Sequence, residues 1–268
     1  MYLEKEEVSL YYEVRGKGEP LLLIHGAIVD ADLYHEAAEL LAAYYTVVTF
    51  DRRGNSRSVC KGERTFSMEE QIEDIRDLLD ELHIESTYIV GASAGAVIGQ
   101  CFLQTYPRRV KHLIMYEPAM LGKMMEEPAV RQWVEEMQSL IQERKYSSAV
   151  LKFAEHMGPA DVRSPGKDTA VFFREMGNHE YTLTQELPAL VTYCPDMETM
   201  KATANKITIG AGEKSGNTVY ARAAVKLAGD IGQTPVFYPG SHNLPRDLPR
   251  EFAICVLGTL MLAVQDCV

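Results

Sequence analysis

The stretch that decides the fold is Gly91-Ala92-Ser93-Ala94-Gly95, which follows a short apolar run at residues 87–90 and precedes a helical pattern at residues 94–106. It fits G-x-S-x-G at the point where a predicted strand ends and a predicted helix begins. A serine on such a turn is held in a strained backbone that directs its hydroxyl over the edge of the sheet. The other interpretation of these residues is a glycine-rich packing turn. The strand-to-helix placement favours a nucleophile at Ser93.

Short apolar runs alternate with helical patterns along most of the chain, which is typical of a parallel sheet covered by helices on both faces. The predicted strands are residues 8–12 (an edge strand), 21–24, 46–51, 87–90, 112–116, 206–209 and 234–238. Residues 120–204 show helical stripes and no convincing strand, which predicts an inserted helical cap. The fold class is therefore α/β, with residues 1–119 and 205–268 as the core. Residues 252–264 predict a buried terminal helix, too short to span a membrane.

The net charge bears on the partners of this chain, and the cysteines and first residues bear on its compartment. The chain of 268 residues has 27 Lys plus Arg against 38 Asp plus Glu, a net charge of −11. This balance argues against nucleic acid or an anionic membrane as the main partner. The five cysteines form no CxxC pair, and the first residues lack the basic and apolar character of a secretory signal. A cytoplasmic protein with reduced thiols is the expectation.

No metal or cofactor is predicted. No pair of cysteines or histidines has the spacing of zinc ligands. Gly210, Gly212 and Gly216 give only G-x-G-x-x-x-G, and Glu213 inside that turn would repel a pyrophosphate.

Two further segments follow predicted strands and carry groups that could assist a serine. His25-Gly26-Ala27 comes directly after the first buried strand, where the Ala27 N–H could stabilise an oxyanion together with the N–H of Ala94. His25 itself is predicted to have a structural role in that loop. His242 lies in the loop after the last predicted strand, from which a neutral imidazole could accept the serine proton. The alternative for His242 is an ordinary loop histidine.

These features together resemble the α/β-hydrolase family, in which nucleophile, acid and histidine follow one another in that chain order. Residues 51–58, DRRGNSRS, are similar to the family's D-x-R-G-x-G-x-S turn, with Ser56 where a second glycine is usual. The resemblance covers nearly the whole chain, with residues 120–204 as the variable cap. It implies Ser93 as nucleophile, His242 as base, and the N–H groups of Ala27 and Ala94 as the oxyanion hole.

The acid departs from the usual family pattern. The turn after the penultimate strand has Ser215 where most members have an aspartate, and a serine cannot stabilise an imidazolium as a carboxylate does. Glu213 in the same turn is one candidate. Glu117, at the end of the strand after the nucleophile helix, is the other and is favoured, because haloalkane dehalogenases and zearalenone-type lactonases take their acid from that strand. Glu117 could also be no more than a buried turn residue.

The resemblance implies a serine hydrolase that cleaves a small-to-medium apolar carboxylic ester or lactone through an acyl-enzyme. Methionine and aromatic residues of the cap could line an apolar pocket or support a homodimer. They are Met120, Met124, Met125, Trp133, Met137, Phe153, Met157, Phe172, Phe173 and Met176. A non-catalytic receptor for an apolar ligand on the same fold is one alternative. A C–C bond hydrolase or an aminopeptidase of the same family is another.

Overall fold

The computed structural model describes residues 1–156 and 169–265, so Met157 of the predicted cap lining and Cys267 lie outside the described residues. Within them, nine strands form one sheet in the spatial order β1-β2-β4-β3-β6-β7-β8-β9, with β5 beside β2. The strands are β1 (Tyr2–Glu4), β2 (Val8–Arg15), β3 (Glu19–Ile24), β4 (Tyr45–Phe50), β5 (Val59–Cys60), β6 (Thr87–Ala92), β7 (Val110–Tyr116), β8 (Ile207–Gly212) and β9 (Val236–Tyr238).

The sheet is mostly parallel, which confirms the predicted fold class. Strands β4, β3, β6, β7, β8 and β9 pair in parallel, and β1, β2 and β5 add antiparallel pairs at one side. The prediction of an edge strand at residues 8–12 is wrong, because β1 pairs outside it, with Tyr2 opposite Tyr11. Alternating buried and exposed residues indicate a strand with one covered face. Because the outermost strand and the strand beside it can both show this alternation, the sequence could not tell which of them forms the edge.

Helices cover both faces of the sheet. Ile75, Val97 and Ala224 belong to the apolar cluster on one face, and Ala38 and Phe252 belong to the cluster on the other. The core helices are α1 (His35–Leu41), α2 (Met68–Glu81), α3 (Ala94–Thr105), α11 (Val219–Asp230), α12 (Leu244–Asp247) and α13 (Pro249–Gln265). This layered arrangement leaves the carboxyl ends of the parallel strands as the open edge where loops can carry a site.

The described residues between β7 and β8 form helices and no strand. These helices are α4 (Leu121–Met124), α5 (Pro128–Gln142), α6 (Tyr146–His156), α7 (Thr169–Met176), α8 (His179–Tyr181), α9 (Leu187–Thr192) and α10 (Met197–Ala202), with a π-helical turn at Thr182–Glu186. Pro128 occupies the first turn of α5, where a missing N–H costs nothing. That this segment forms a separate cap domain stays a prediction. Because the segment begins directly after β7, it starts next to Glu117.

The terminal helix differs from its prediction. Phe252, Val256 and Leu260 of α13 are buried against the sheet, whereas Ile254 and Met261 are 59% and 64% exposed. Apolar residues lie on both faces of α13, so the sequence predicted a fully buried helix. In the structure one face packs on the sheet and the other faces water. None of the helices in the described part of the chain combines the length and the apolar character that a membrane crossing requires.

Gly95 allows α3 to pack directly on β3. A Cβ at this position would lie 2.1 Å from the Ile24 carbonyl oxygen and 2.6 Å from that of His25. Because backbone atoms cannot move aside as a side chain can, we expect Gly95→Ala to lower the free energy of unfolding by about 3 kcal/mol or more. Urea denaturation followed by circular dichroism measures this loss.

Gly258 in α13 is the matched control, because a Cβ there would meet nothing within 4 Å. Gly258→Ala removes backbone freedom inside a helix and should raise the free energy of unfolding by about 0.5–1 kcal/mol. Equal stabilities of the two alanine variants would contradict the close approach of α3 to β3.

Candidate active site

Ser93 stands alone between a strand and a helix, since β6 ends at Ala92 and α3 begins at Ala94. Its backbone has φ 55° and ψ −120°, a conformation that a serine adopts only when its surroundings impose it. The Ser93 N–H donates to the Tyr116 carbonyl (3.0 Å), and the Ser93 carbonyl accepts from the Ala119 N–H (3.1 Å). These bonds hold the turn in the strained shape that the sequence predicted.

The loop after β3 lies against Ser93. A methyl group at Gly26 would lie 3.1 Å from the Ser93 Cβ and 3.7 Å from its Oγ, so a larger residue here would press on the serine. Ala27 comes next in this loop. Ala94 is the first residue of α3, and its N–H is among the donors that a helix leaves without an internal partner. The two amides proposed for an oxyanion hole therefore belong to the two segments that meet at Ser93.

His25 holds this loop in place. Its Nε2 lies 2.9 Å from the Arg52 backbone nitrogen, and its Nδ1 lies 2.8 Å from the Gly26 carbonyl oxygen. Because the backbone N–H can only donate, Nε2 is the acceptor and Nδ1 carries the ring proton. Burial, and after it the charge of Arg52, lowers the pKa of His25 to about 3, so the ring is neutral. This geometry agrees with a structural role for His25.

His242 and Glu117 form a buried pair. The His242 Nδ1 lies 2.7 Å from the Glu117 Oε2, and the other oxygen of Glu117 accepts the Gly212 N–H at 2.8 Å. Burial raises the pKa of Glu117, but the hydrogen bond and charge of His242 and the Gly212 N–H together hold it below its usual value. The carboxylate can only accept, so Nδ1 carries the ring proton and Nε2 is left as the basic nitrogen.

Two tyrosines that the sequence did not single out support His242. The ring of Tyr220 stacks on the imidazole, with centroids 4.4 Å apart and planes inclined by 24°. The Tyr116 hydroxyl donates to the Ser241 carbonyl at 2.6 Å and so fixes the loop that carries the histidine. The stacked ring of Tyr220 and the fixed loop limit the orientations that the imidazole can adopt. No local pattern could have shown which ring covers His242.

The second candidate acid lies elsewhere. The Glu213 side chain is exposed to solvent, and its backbone N–H donates to the Tyr238 carbonyl at 2.8 Å. Ser215, at the position where the family usually has its acid, is buried in the same turn. Of the two carboxylates, Glu117 is the one in contact with His242. The pairing of His242 Nε2 with the Ser93 hydroxyl stays a prediction.

Ser93 and Glu117 follow neighbouring strands. Ala92 is paired with Tyr116 in the parallel ladder of β6 and β7, so the two residues after them leave the sheet side by side. Glu117 has a positive φ of 42°, as Ser93 has, and its N–H donates to the Gly210 carbonyl of β8 at 2.9 Å. Such strain concentrates at functional sites. Across residues 1–156 and 169–265, no three His, Cys, Asp or Glu side chains are grouped as metal ligands would be.

Comparison with known protein families gives one extended match. A family model described as "alpha/beta hydrolase fold" matches residues 19–167. The chain is 31% identical over 256 residues to "Uncharacterized hydrolase YraK" of Bacillus subtilis (strain 168), an alignment that covers 94% of this chain and 92% of that protein. The similarity to this relative therefore extends over nearly the whole of both chains.

Solved structures share the fold at lower identity. "Est816 as an N-Acyl homoserine lactone degrading enzyme" superimposes with a TM-score of 0.75 and 20% identity, covering 96% of this chain and 99% of that chain. A carboxylesterase structure from the thaumarchaeon Nitrososphaera gargenis gives a TM-score of 0.74 and 23% identity, covering 99% of this chain and 100% of that chain. At these identities the likeness shows the fold alone.

Proposed function

The chain belongs to the α/β-hydrolase fold family and is a hydrolase of that family, and from this premise we propose that it cleaves apolar carboxylic esters or lactones with Ser93 as nucleophile. His242 is the general base and Glu117 is the acid that orients it. The observation that carries the proposal is the 2.7 Å bond between Glu117 Oε2 and His242 Nδ1, formed at the sheet edge beside the strained Ser93.

The proposed reaction has two halves. Ser93 Oγ attacks the carbonyl carbon while His242 Nε2 accepts the hydroxyl proton, and the negative oxygen is stabilised by the N–H groups of Ala27 and Ala94. The tetrahedral intermediate expels the alcohol, which takes the proton from His242. Water then attacks the acyl-enzyme with His242 again as base. The bond between the acyl carbon and Ser93 Oγ breaks, His242 returns the proton to Oγ, and the carboxylic acid is released. Throughout, Glu117 holds the ring in one tautomer and stabilises its charged form.

The apolar substrate class is proposed from the composition of the cap segment, which packs apolar residues over the sheet. Met124, Trp133 and Met137 are buried in the same cluster as the sheet residues beneath them. Phe172 and Phe173 of α7 are instead 45% and 68% exposed, so they contribute nothing to that interior. Est816 is described as an N-acyl homoserine lactone degrading enzyme, and the Nitrososphaera protein as a carboxylesterase. A serine nucleophile can cleave both kinds of substrate through an acyl-enzyme.

A matched panel of substrates tests the proposal. p-Nitrophenyl esters with straight acyl chains from two to ten carbons, and γ-lactones with side chains of the same lengths, are assayed under identical conditions. We expect kcat/KM to rise with chain length by about fourfold per buried methylene before a limit is reached. Rapid mixing should show a burst of p-nitrophenol when deacylation is slow.

The alternatives give different results. A receptor would bind the longer compounds without turnover and without a burst, and an aminopeptidase would prefer an aminoacyl anilide over every ester in the panel. A C–C bond hydrolase would leave the esters intact and cleave a β-diketone. Any of these outcomes would replace the ester or lactone proposal.

A further inference from the structure

We infer that Arg52 is a positioning residue of the oxyanion hole, and that Glu186 of the segment between β7 and β8 keeps it in place. The inference rests on the proposed function, because it explains how the Ala27 N–H is aimed. Arg52 and Glu186 are both fully buried, and Arg52 Nη2 lies 2.7 Å from Glu186 Oε1. Losing one partner of such a buried pair would leave the other charge uncompensated away from water, which is strongly destabilising.

Arg52 is bonded to the backbone of the oxyanion loop. Its Nε donates to the His25 carbonyl at 3.0 Å, and its Nη2 donates to the Gly26 carbonyl at 2.9 Å. The guanidinium is planar and its donors have a fixed arrangement, so two bonds to consecutive carbonyls determine the orientation of both peptide groups. A lysine has the same charge but only one nitrogen to donate from.

The Gly26 carbonyl orientation determines where the Ala27 N–H points. The peptide bond between them is planar and trans, so its N–H points opposite to its carbonyl oxygen. That oxygen accepts from both Arg52 Nη2 and His25 Nδ1, and the Ala27 N–H is therefore directed away from Arg52. Donors at the carbonyl also polarise the peptide group, which makes its N–H a stronger donor to an oxyanion.

Glu186 joins the two flanks of Ala27. Its Oε1 contacts Arg52, which holds the Gly26 side, and its Oε2 accepts from the Thr182 hydroxyl at 3.4 Å. The Thr182 oxygen in turn accepts the Ile28 N–H at 3.2 Å, on the other side of Ala27. Both Thr182 and Glu186 belong to the π-helical turn Thr182–Glu186, a helix type that is frequent at functional sites. The turn thus fixes the loop before and after the proposed donor.

Two variants separate positioning from folding. Arg52→Lys keeps the charge opposite Glu186 but replaces two donor nitrogens of fixed geometry by one flexible ammonium group. The double variant Arg52→Met, Glu186→Met removes both buried charges together, which avoids the uncompensated buried charge that either single replacement would leave. In each we expect kcat for an ester to fall about 10- to 100-fold with little change in KM.

The affinity for a transition-state analogue distinguishes positioning from a purely structural role, because a purely structural role would leave this affinity unchanged. An alkylboronic acid, which forms a tetrahedral adduct on a serine, should bind both variants more weakly by the same factor as the loss of kcat. An ether of equal chain length has no carbonyl oxygen and should bind as tightly as it does to the wild type. A constant ratio of the two affinities, or a wild-type kcat in both variants, would overturn the inference.

Arg53 is the matched control. It lies in the same turn, and its Nε and Nη2 each contact the Asp74 carboxylate at 2.8 Å, but these bonds hold α2 rather than the oxyanion loop. Arg53→Lys should lower the melting temperature and leave kcat and boronic acid affinity unchanged. If the wild type hydrolyses esters and both Arg52 variants have the same kcat as the wild type, the inference about Arg52 is rejected and the proposed function stands. A wild type that hydrolyses no ester or lactone would reject the proposed function instead.

Discussion

Ser93→Ala should lower kcat for the best ester by about a million-fold, the largest effect expected from any single change in this chain. The hydroxyl is the only part of Ser93 that is lost. The backbone bonds to Tyr116 and Ala119 that shape the turn remain, so the variant should fold as the wild type does. Initial rates of p-nitrophenyl ester hydrolysis, with enzyme concentration high enough to observe slow turnover, measure the loss.

Ser67→Ala is a suitable control for this experiment. Ser67 caps α2 by accepting the Glu70 N–H, far from the proposed site in the chain. Its replacement should reduce the free energy of unfolding by about 1 kcal/mol and leave kcat as it is. If Ser93→Ala retained substantial activity, another group or a directly activated water would be the nucleophile, and the acyl-enzyme mechanism would be wrong.

Glu117→Gln should lower kcat by about 10⁴-fold while the chain stays folded. The amide oxygen can still accept the Gly212 N–H, so the buried side chain keeps one of its bonds. The amide NH₂ would face His242 Nδ1 as a donor, which forces the ring proton onto Nε2 and removes the base. Steady-state kinetics at a pH where the wild type is fully active checks this loss, and nuclear magnetic resonance of the imidazole nitrogens reports the tautomer.

Glu213→Gln is the comparison that distinguishes the two acids considered from the sequence. The Glu213 side chain is exposed, and it contributes only its backbone N–H to the turn, which the substitution keeps. Its kcat should therefore equal that of the wild type. Loss of activity in Glu213→Gln with an active Glu117→Gln would reverse the assignment of the acid.

The strand ends explain how much of the site could be predicted from the sequence. A short apolar run followed by a turn is a local pattern that predicts where a strand ends. Such a pattern precedes Ser93, the Ala27 loop and His242. The family resemblance then supplied their roles. Glu117 could be proposed in the same way, because it follows the strand after the nucleophile helix, but its contact with His242 depends on the order of β7, β8 and β9 in the sheet.

Contacts between distant segments could not be predicted. Tyr220 covers His242 from a helix face, and the Arg52–Glu186 pair joins the turn after β4 to the turn before α9. Both side chains of that pair are charged residues in segments where a solvated surface position is the ordinary expectation. They are buried because the helical segment between β7 and β8 packs over the sheet. A local sequence pattern does not predict this packing.

The most direct test of Ser93 as the nucleophile is to locate a covalent adduct by mass spectrometry. The wild type is treated with an alkyl fluorophosphonate, digested and sequenced, with Ser93→Ala treated in parallel. One phosphonyl group on the peptide that contains Ser93, with loss of activity in proportion to labelling and no adduct in Ser93→Ala, is the predicted result. A fully labelled Ser93 in a protein that still hydrolyses esters at its original rate, or an inactivating adduct on a different residue, would contradict the account.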